Sequence, residues 1–507
     1  MAFFNQRKYP ISIFLATLWL ASIWLHNSQA ASPSVQASPY SINPSDDEEK
    51  AEYTTFLPII SIPKADNVMG MQMQPLSESG GLNQLAETKT SWVGGIPVHW
   101  ADVEAVRGVY DWSIPDANAP RWVEASSKGF NILGNIRTTP TWAQLYPGYF
   151  CGPMQAQYFD EFAEFVYQVV SRYSVPPYNV KYWEIWNEPD VDHNLSGPQI
   201  HFGCWGDPND PFYGGGYFAE MLKIIYPAVK RANPEAKVLV GGLALDCSPD
   251  KENRSCVSAK YFEGILRYGG GDYFDGVNFH SYDYFSYIWG APYEDNLGKY
   301  HNNTNWNSQW NVNGPVLIEK ANYLKSLMNQ YEVIGKELIN NEFALNCSVC
   351  NGEPVQPYNE DPTPAFETTK AYYITQAYAA AINLELKANL WYCLLGWPEK
   401  NTELMNSDLS EREGFTAYRI VSQKLAEVKN QGELTYTDVS SMIGLKGYKF
   451  SHGQKEIWVV WSLDGEDHSV DLTYNRTPTS ITDALGNPQP ASSPITITIK
   501  PIYIEWE

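Results

Sequence analysis

Eight short segments rich in β-branched and aromatic residues recur between residues 56 and 430, one roughly every 30–60 residues. They are Val68–Gln74, Trp92–His99, Asn131–Thr138, Val180–Asn187, Lys237–Leu245, Gly276–Ser281, Glu337–Phe343 and Asn389–Trp397. Helical patterns lie between several of them. In Tyr158–Tyr173 the residues Phe159, Phe162, Val166, Val169 and Tyr173 recur at helical spacing, and Phe366–Leu384 and Glu413–Val428 read the same way. Strand–helix alternation of this kind predicts an α/β fold, a (β/α)8 barrel over residues 56–430. After Asn430 the texture changes to short alternating runs: Met442–Phe450, Glu456–Trp461, Val470–Tyr474, Ile495–Ile499 and Ile502–Trp506. Turn signals such as Asp464-Gly465 and Gly486-Asn487-Pro488 separate them, which predicts a small β-sandwich over 431–507.

The N-terminus reads as an export signal over residues 1–30. Arg7 and Lys8 precede the uncharged apolar run Ile11–Leu25, and Ser28-Gln29-Ala30 offers a small-x-small cleavage site. The run falls short of the roughly 20 residues of a membrane span, so no stable insertion is expected after cleavage; an uncleaved anchor is the alternative. Residues 31–55, rich in Ser, Pro and acids, read as a disordered linker. Seven cysteines agree with a secreted, extracellular destination. Cys247/Cys256 and Cys347/Cys350 invite local bridges, Cys151 with Cys204 would join the loops after neighbouring strands, and Cys393 sits in an apolar run as a buried free thiol. Zinc is the rival for Cys347 and Cys350, though no second CxxC or nearby His pair supports it. The net charge of −23 argues against nucleic acid and anionic membranes as partners. Removing residues 1–30, which hold two basic residues and no acid, makes the chain more acidic still. Eighteen Trp and 34 Tyr exceed what turns and loops need; core packing accounts for most, and stacking against sugar rings would use the rest.

The segment Tyr182–Asp190, YWEIWNEPD, carries the chemistry. Tyr182, Trp183, Ile185 and Trp186 have strand character, and Pro189 stops the ladder just after Asn187-Glu188. A carboxyl group at the mouth of a buried strand is a costly placement unless it does chemistry there. A second acid, Glu342, ends Glu337–Phe343 (ELINNEF) behind the apolar Leu338 and Ile339. Glu337 is its rival but begins the strand, at the wrong end of a barrel. Either acid could instead be a cap or a surface ion-pair partner.

These motifs closely resemble the clan A glycoside hydrolases, whose fourth strand carries the general acid/base in Asn-Glu and whose seventh carries the nucleophile. The resemblance spans Phe56 to the C-terminus and is densest in Trp92–Trp112, Tyr182–Asp190 and Glu337–Phe343. The barrel with a trailing β-domain looks nearest to the β-xylosidase and α-L-iduronidase-like group. It implies Glu188 as acid/base and Glu342 as nucleophile of a secreted retaining hydrolase acting on plant-type or microbial polysaccharides or oligosaccharides. It further implies that Asn187 bonds the sugar 2-OH, that Tyr282 donates to the nucleophile, that His280 holds a hydroxyl or the acid/base, and that Trp397 floors the sugar subsite. Trp142 lies in a turn, Thr138–Ala143, similar to the family's "TPPWA"-like one. The resemblance departs at the second strand, where Gly94-Gly95 stand in place of an expected Arg; Arg137 on the third strand is the candidate substitute. No metal or organic cofactor is expected, because two carboxylates suffice for such a reaction. A non-catalytic carbohydrate-binding or surface structural protein on the same fold is the alternative.

Overall fold

The computed structural model describes residues 64–507 except 65, 196, 199, 249–253, 287–296, 303–313, 355–360, 397–399, 474–475 and 492, and omits the side chains of 254–256 and 302. The expected signal and linker, Trp397, the side chain of Cys256 and most of the polar segment 301–313, expected to lie over the barrel mouth, are therefore outside the described residues.

Eight parallel strands close into a barrel. In chain order they are β1 (Met69–Gln72), β2 (Trp92–His99), β3 (Asn131–Arg137), β4 (Tyr182–Asn187), β5 (Lys237–Leu243), β6 (Gly276–Phe285), β8 (Glu337–Asn346) and β9 (Ala388–Trp391). Each pairs with its sequence neighbour, β6 with β8, and β9 returns to β1 to complete the ring. A short β7 (Tyr300–Asn302) adds antiparallel to the overhanging end of β6. All eight expected strands exist, but the last is shorter than its sequence suggests. It stops at Trp391, although the Tyr392 N–H still donates to Phe343 O at 2.8 Å and the Leu394 N–H to Gln72 O at 3.1 Å, on the two flanking strands.

Period-2 alternation sorts the strand residues. Trp92, Leu133, Leu239, Ile339 and Leu390, one from each of five strands, meet in a cluster apart from the large core between sheet and helices, so they plug the barrel interior. Above this plug the interior turns polar, with Gln72, Asn135, Glu184, Asn278 and Asn341 pointing inward.

The C-terminal region holds a five-stranded antiparallel sheet: β10 (Lys429–Glu433), β11 (Leu445–His452), β12 (Lys455–Ser462), β16 (Ile502–Trp506) and β14 (Ser480–Asp483), in that order. A two-stranded sheet, β13 (His468–Val470) with β15 (Ile495–Ile497), accompanies it. Alternation along β12 assigns its two faces. Ile457, Val459 and Trp461 join the barrel's core, whereas Trp458 and Val460 pack with Ile504, Trp506, Val470 and Ile497. Tyr503 donates to Thr375 on helix Thr363–Asn383 at 3.3 Å, fastening the sheet to the barrel. Strand β13 ends at Val470, where Val470–Tyr474 was expected to begin, and β10 and β14 carry no alternating pattern that would announce them.

Cys151–Cys204 and Cys347–Cys350 are disulfides, at S–S distances of 2.03 and 2.01 Å. Cys393 is a buried thiol whose Sγ lies 2.8 Å from Leu395 O. Among the described residues no helix is long and apolar enough to cross a membrane.

Candidate active site

Strand β4 ends in a backbone contortion. Trp186 has φ 74° and Glu188 φ 50°, left-handed values that cost an L-residue about 1–3 kcal/mol unless the surroundings impose them. Here they do. The fully buried Trp186 indole donates to Cys151 O at 3.0 Å and Gly203 O at 3.1 Å, and Glu188 N–H donates to Gly242 O at 2.8 Å. Two residues on, the buried Asp190 carboxylate accepts from Ala244 N–H and Leu245 N–H, both at 2.8 Å. Burial pushes Asp190 up to about 7 against the pull of those two N–H groups. The end of β4 is thereby clamped to the end of β5, with the Glu188 side chain left partly open to solvent.

Along β6 the period of two places His280 and Tyr282 on the same face, and β8 brings Glu342 opposite His280 across a bulge. His280 Nδ1 lies 2.9 Å from Glu188 Oε1 and 3.5 Å from Glu342 Oε2. Tyr282 O–H donates to Glu342 Oε2 at 2.7 Å. Burial raises the Glu342 pKa and Glu188 adds to the rise, while His280 and the Tyr282 hydroxyl pull it back. For His280 burial alone would favour the neutral ring. The carboxylates of Glu342, Glu188 and Glu184 outweigh it and raise the imidazole to about 9. Underneath, Lys320 from helix Leu317–Gln330 donates to His280 O and Ala244 O, both at 2.8 Å, tying the ends of β5 and β6 together.

Arg137 closes β3, and its Nε donates to His99 Nε2 at 3.2 Å; His99 in turn contacts Asp102 at 3.1 Å. Arg137, Asn187, Glu342, Glu184, Gln72, Gln74 and Tyr392 line one pocket. The glycines of β2 now have a physical reason. A β-carbon at Gly95 would lie 2.1 Å from Met73 O, and one at Gly94 would lie 2.5 Å from Gln72 Oε1. No arginine fits there, and the cation reaches the pocket from the neighbouring strand.

The structure thus brings together Glu188, Glu342, His280 and Tyr282, and lines one pocket with Glu342, Asn187 and Arg137. Trp142 is engaged elsewhere. Its indole donates to Glu104 O at 2.9 Å, and its ring packs on Trp100, Tyr158 and Arg107. Trp397 is outside the described residues. Tyr392, which sequence reasoning missed, is the described aromatic of this segment in the pocket, its hydroxyl accepting from Gln74 Nε2 at 2.7 Å. Glu184 was also missed, although a charged residue alternating with Trp183 and Ile185 on an apolar strand was a signal in plain view. No group of three or more His, Cys, Asp or Glu among the described residues is arranged to hold a metal ion.

The eight-stranded β/α barrel with its trailing antiparallel β-region is a fold found among solved glycoside hydrolases. No family profile and no curated protein matches the chain in sequence. Among solved structures it is similar to a family 39 glycoside hydrolase from Bacteroides cellulosilyticus WH2, with TM-score 0.61 and 17% identity over 88% of this chain and 82% of that one. It is also similar to a GH30 endoxylanase from Clostridium papyrosolvens C71, with TM-score 0.52 and 11% identity over 88% and 98% of the two chains. A monomeric β-xylosidase from Caulobacter crescentus CB15 matches with TM-score 0.51 and 13% identity over 88% and 97%.

Proposed function

We propose that the chain is a secreted retaining glycoside hydrolase that cleaves O-glycosidic bonds of oligo- or polysaccharides by double displacement. One observation carries this reading: a single ring nitrogen of His280 faces both Glu188 and Glu342. The two carboxylate oxygens are no further apart than those two lengths laid end to end. That bound accommodates the roughly 5–5.5 Å of a retaining pair. Glu342, oriented by Tyr282, attacks the anomeric carbon while Glu188 protonates the leaving oxygen. Glu188 then takes a proton from the water that opens the glycosyl ester. Asn187, in the same pocket, is placed to bond the sugar 2-OH, and Arg137 supplies the cation beside the nucleophile. Two disulfides support an oxidising destination. Since one structurally similar protein is an endoxylanase and another a β-xylosidase, β-xylosides are the first substrates to try.

The test is Glu342→Ala assayed on activated aryl glycosides. Turnover should nearly vanish, and azide should restore it with a product of inverted anomeric configuration. Wild-type activity in the variant would move the nucleophile elsewhere. A wild-type chain that binds oligosaccharide and hydrolyses nothing would favour the non-catalytic reading.

A further inference from the structure

Glu184 sits on β4 four residues before Glu188 and is 3% exposed. Its carboxylate is met by donors. Gly242 N–H and the Asn341 amide reach Oε1 at 2.5 and 2.8 Å, and the Asn135 amide reaches Oε2 at 2.8 Å. A backbone N–H and amide NH2 groups can only donate, so this shell suits the ionised form, even though burial pushes the group's pKa up. The charge at the bottom of the pocket is thus solvated by neutral donors and balanced at longer range by His280 and Arg137.

Gly242 shows how close the imidazole comes. A β-carbon there would lie 2.2 Å from His280 Nε2 and 2.8 Å from Glu184 Oε1, so the ring and the carboxylate converge over the same bare stretch of β5. His280 Nε2 is buried and has no protein hydrogen-bond partner among the described residues. The opposite nitrogen, Nδ1, stands between the carboxyl groups of Glu188 and Glu342, and its N–H can donate to an oxygen of either in each of their protonation states. The Glu184 anion close by on the Nε2 side favours the charged imidazolium over either neutral tautomer.

We propose that Glu184 is a positioning residue whose fixed negative charge holds His280 as the imidazolium, so that Nδ1–H is always available to orient Glu188 and Glu342. The other charged and titratable groups around the ring do not supply this. Glu188 and Glu342 face Nδ1 and change charge during the proposed reaction, and Tyr282 is committed to Glu342. Asp246, in the loop after β5, is compensated by Lys320, whose ammonium also binds the His280 carbonyl; Arg137 on β3 is a second cation and opposes the charge on the ring. Glu184 lies on the Nε2 side and has no part in the proposed proton transfers, so its charge stays fixed through them. The consequence for catalysis rests on the glycosidase reading, but the test does not.

In the full-length chain labelled with 15N-histidine, the His280 nitrogens, assigned by their loss in His280→Gln, are titrated by NMR. Wild type should keep both protonated past neutral pH. Glu184→Gln should lower the titration midpoint by about one pH unit or more, and Glu184→Asp should stay close to wild type. Should a glycoside be cleaved, the alkaline limb of kcat/KM in Glu184→Gln should move down with the imidazole while KM changes little. A neutral His280 in the wild type at pH 7, or a midpoint unmoved in Glu184→Gln, overturns the proposal. If Glu184→Gln does not fold, the wild-type and Glu184→Asp titrations decide it. A shifted midpoint in a chain that hydrolyses nothing would uphold the role of Glu184 and remove the activity.

Discussion

At the scale of single residues the site is a competition for protons among groups at hydrogen-bonding distance. Tyr282 is the simplest lever, because its hydroxyl meets Glu342 and its ring already lies beneath the mouth. Tyr282→Phe deletes one hydrogen bond to a charged group, an interaction of about 1.5–3 kcal/mol, or roughly tenfold to hundredfold in kcat/KM. The Tyr282 hydroxyl pulls the Glu342 pKa down, so its loss lets that pKa rise, and the acidic limb of the pH–rate profile should move to higher pH. A profile that drops uniformly without moving would mean that Tyr282 contacts substrate rather than tuning Glu342. The sequence made Glu188 and Glu342 legible as acids at the ends of buried strands, whereas His280 and Tyr282 were reached through the resemblance alone. Tyr392 was hidden because the last strand was expected to run on to Trp397, whereas β9 ends at Trp391 and leaves Tyr392 in the segment beyond it. For Trp142 the turn motif gave the position but not the contacts its ring makes, with Trp100, Tyr158 and Arg107.

At the scale of elements, the loops after β3 and β4 are joined twice, by Cys151–Cys204 and by the Trp186 indole that donates to the backbone of both. The disulfide spans 53 residues, and closing a loop of that length restricts the unfolded chain by roughly 4 kcal/mol in the entropic account. Cys151→Ala/Cys204→Ala should therefore cost about 2–4 kcal/mol in urea denaturation under oxidising conditions, while Trp186 keeps the folded loops in register. Activity on small aryl glycosides should survive below the new melting temperature. Loss of activity with no loss of stability would show that the bridge shapes the site directly. Strand positions were readable because an interior plug and an outer helical layer both demand apolar side chains. Strand ends were not. Strands β6 and β8 run on to Phe285 and Asn346 because they pair with each other beyond the rim, and β10 forms from the polar run Lys429–Glu433 because β11 offers it a free edge.

At the scale of the whole molecule, stability should depend on pH in a way set by carboxylates that the barrel buries. Burial raises both Asp190 and Asp283 to about 7. Between the ordinary carboxylate range near pH 4 and pH 7 the folded chain therefore holds protons that the unfolded chain has released, and unfolding free energy must fall as pH rises through that window. The lowered carboxylates act in the opposite sense. Asp116, Asp438 and Glu505 gain hydrogen bonds from cations on folding, and their contribution is lost only as pH drops below the usual range. A net charge of −23 adds self-repulsion as the remaining acids ionise. The two trends cross in mildly acidic solution, so the melting temperature should peak near pH 5 and decline toward pH 8. Asp190→Asn/Asp283→Asn should flatten that decline, because the amides cannot ionise and still offer an oxygen to Leu245 N–H, Ala244 N–H or Val316 N–H. Calorimetry of both chains at fixed ionic strength measures this. A melting temperature that climbs from pH 5 to pH 8 would mean that the backbone donors around Asp190 and the Tyr373 hydroxyl on Asp283 offset the burial of charge completely.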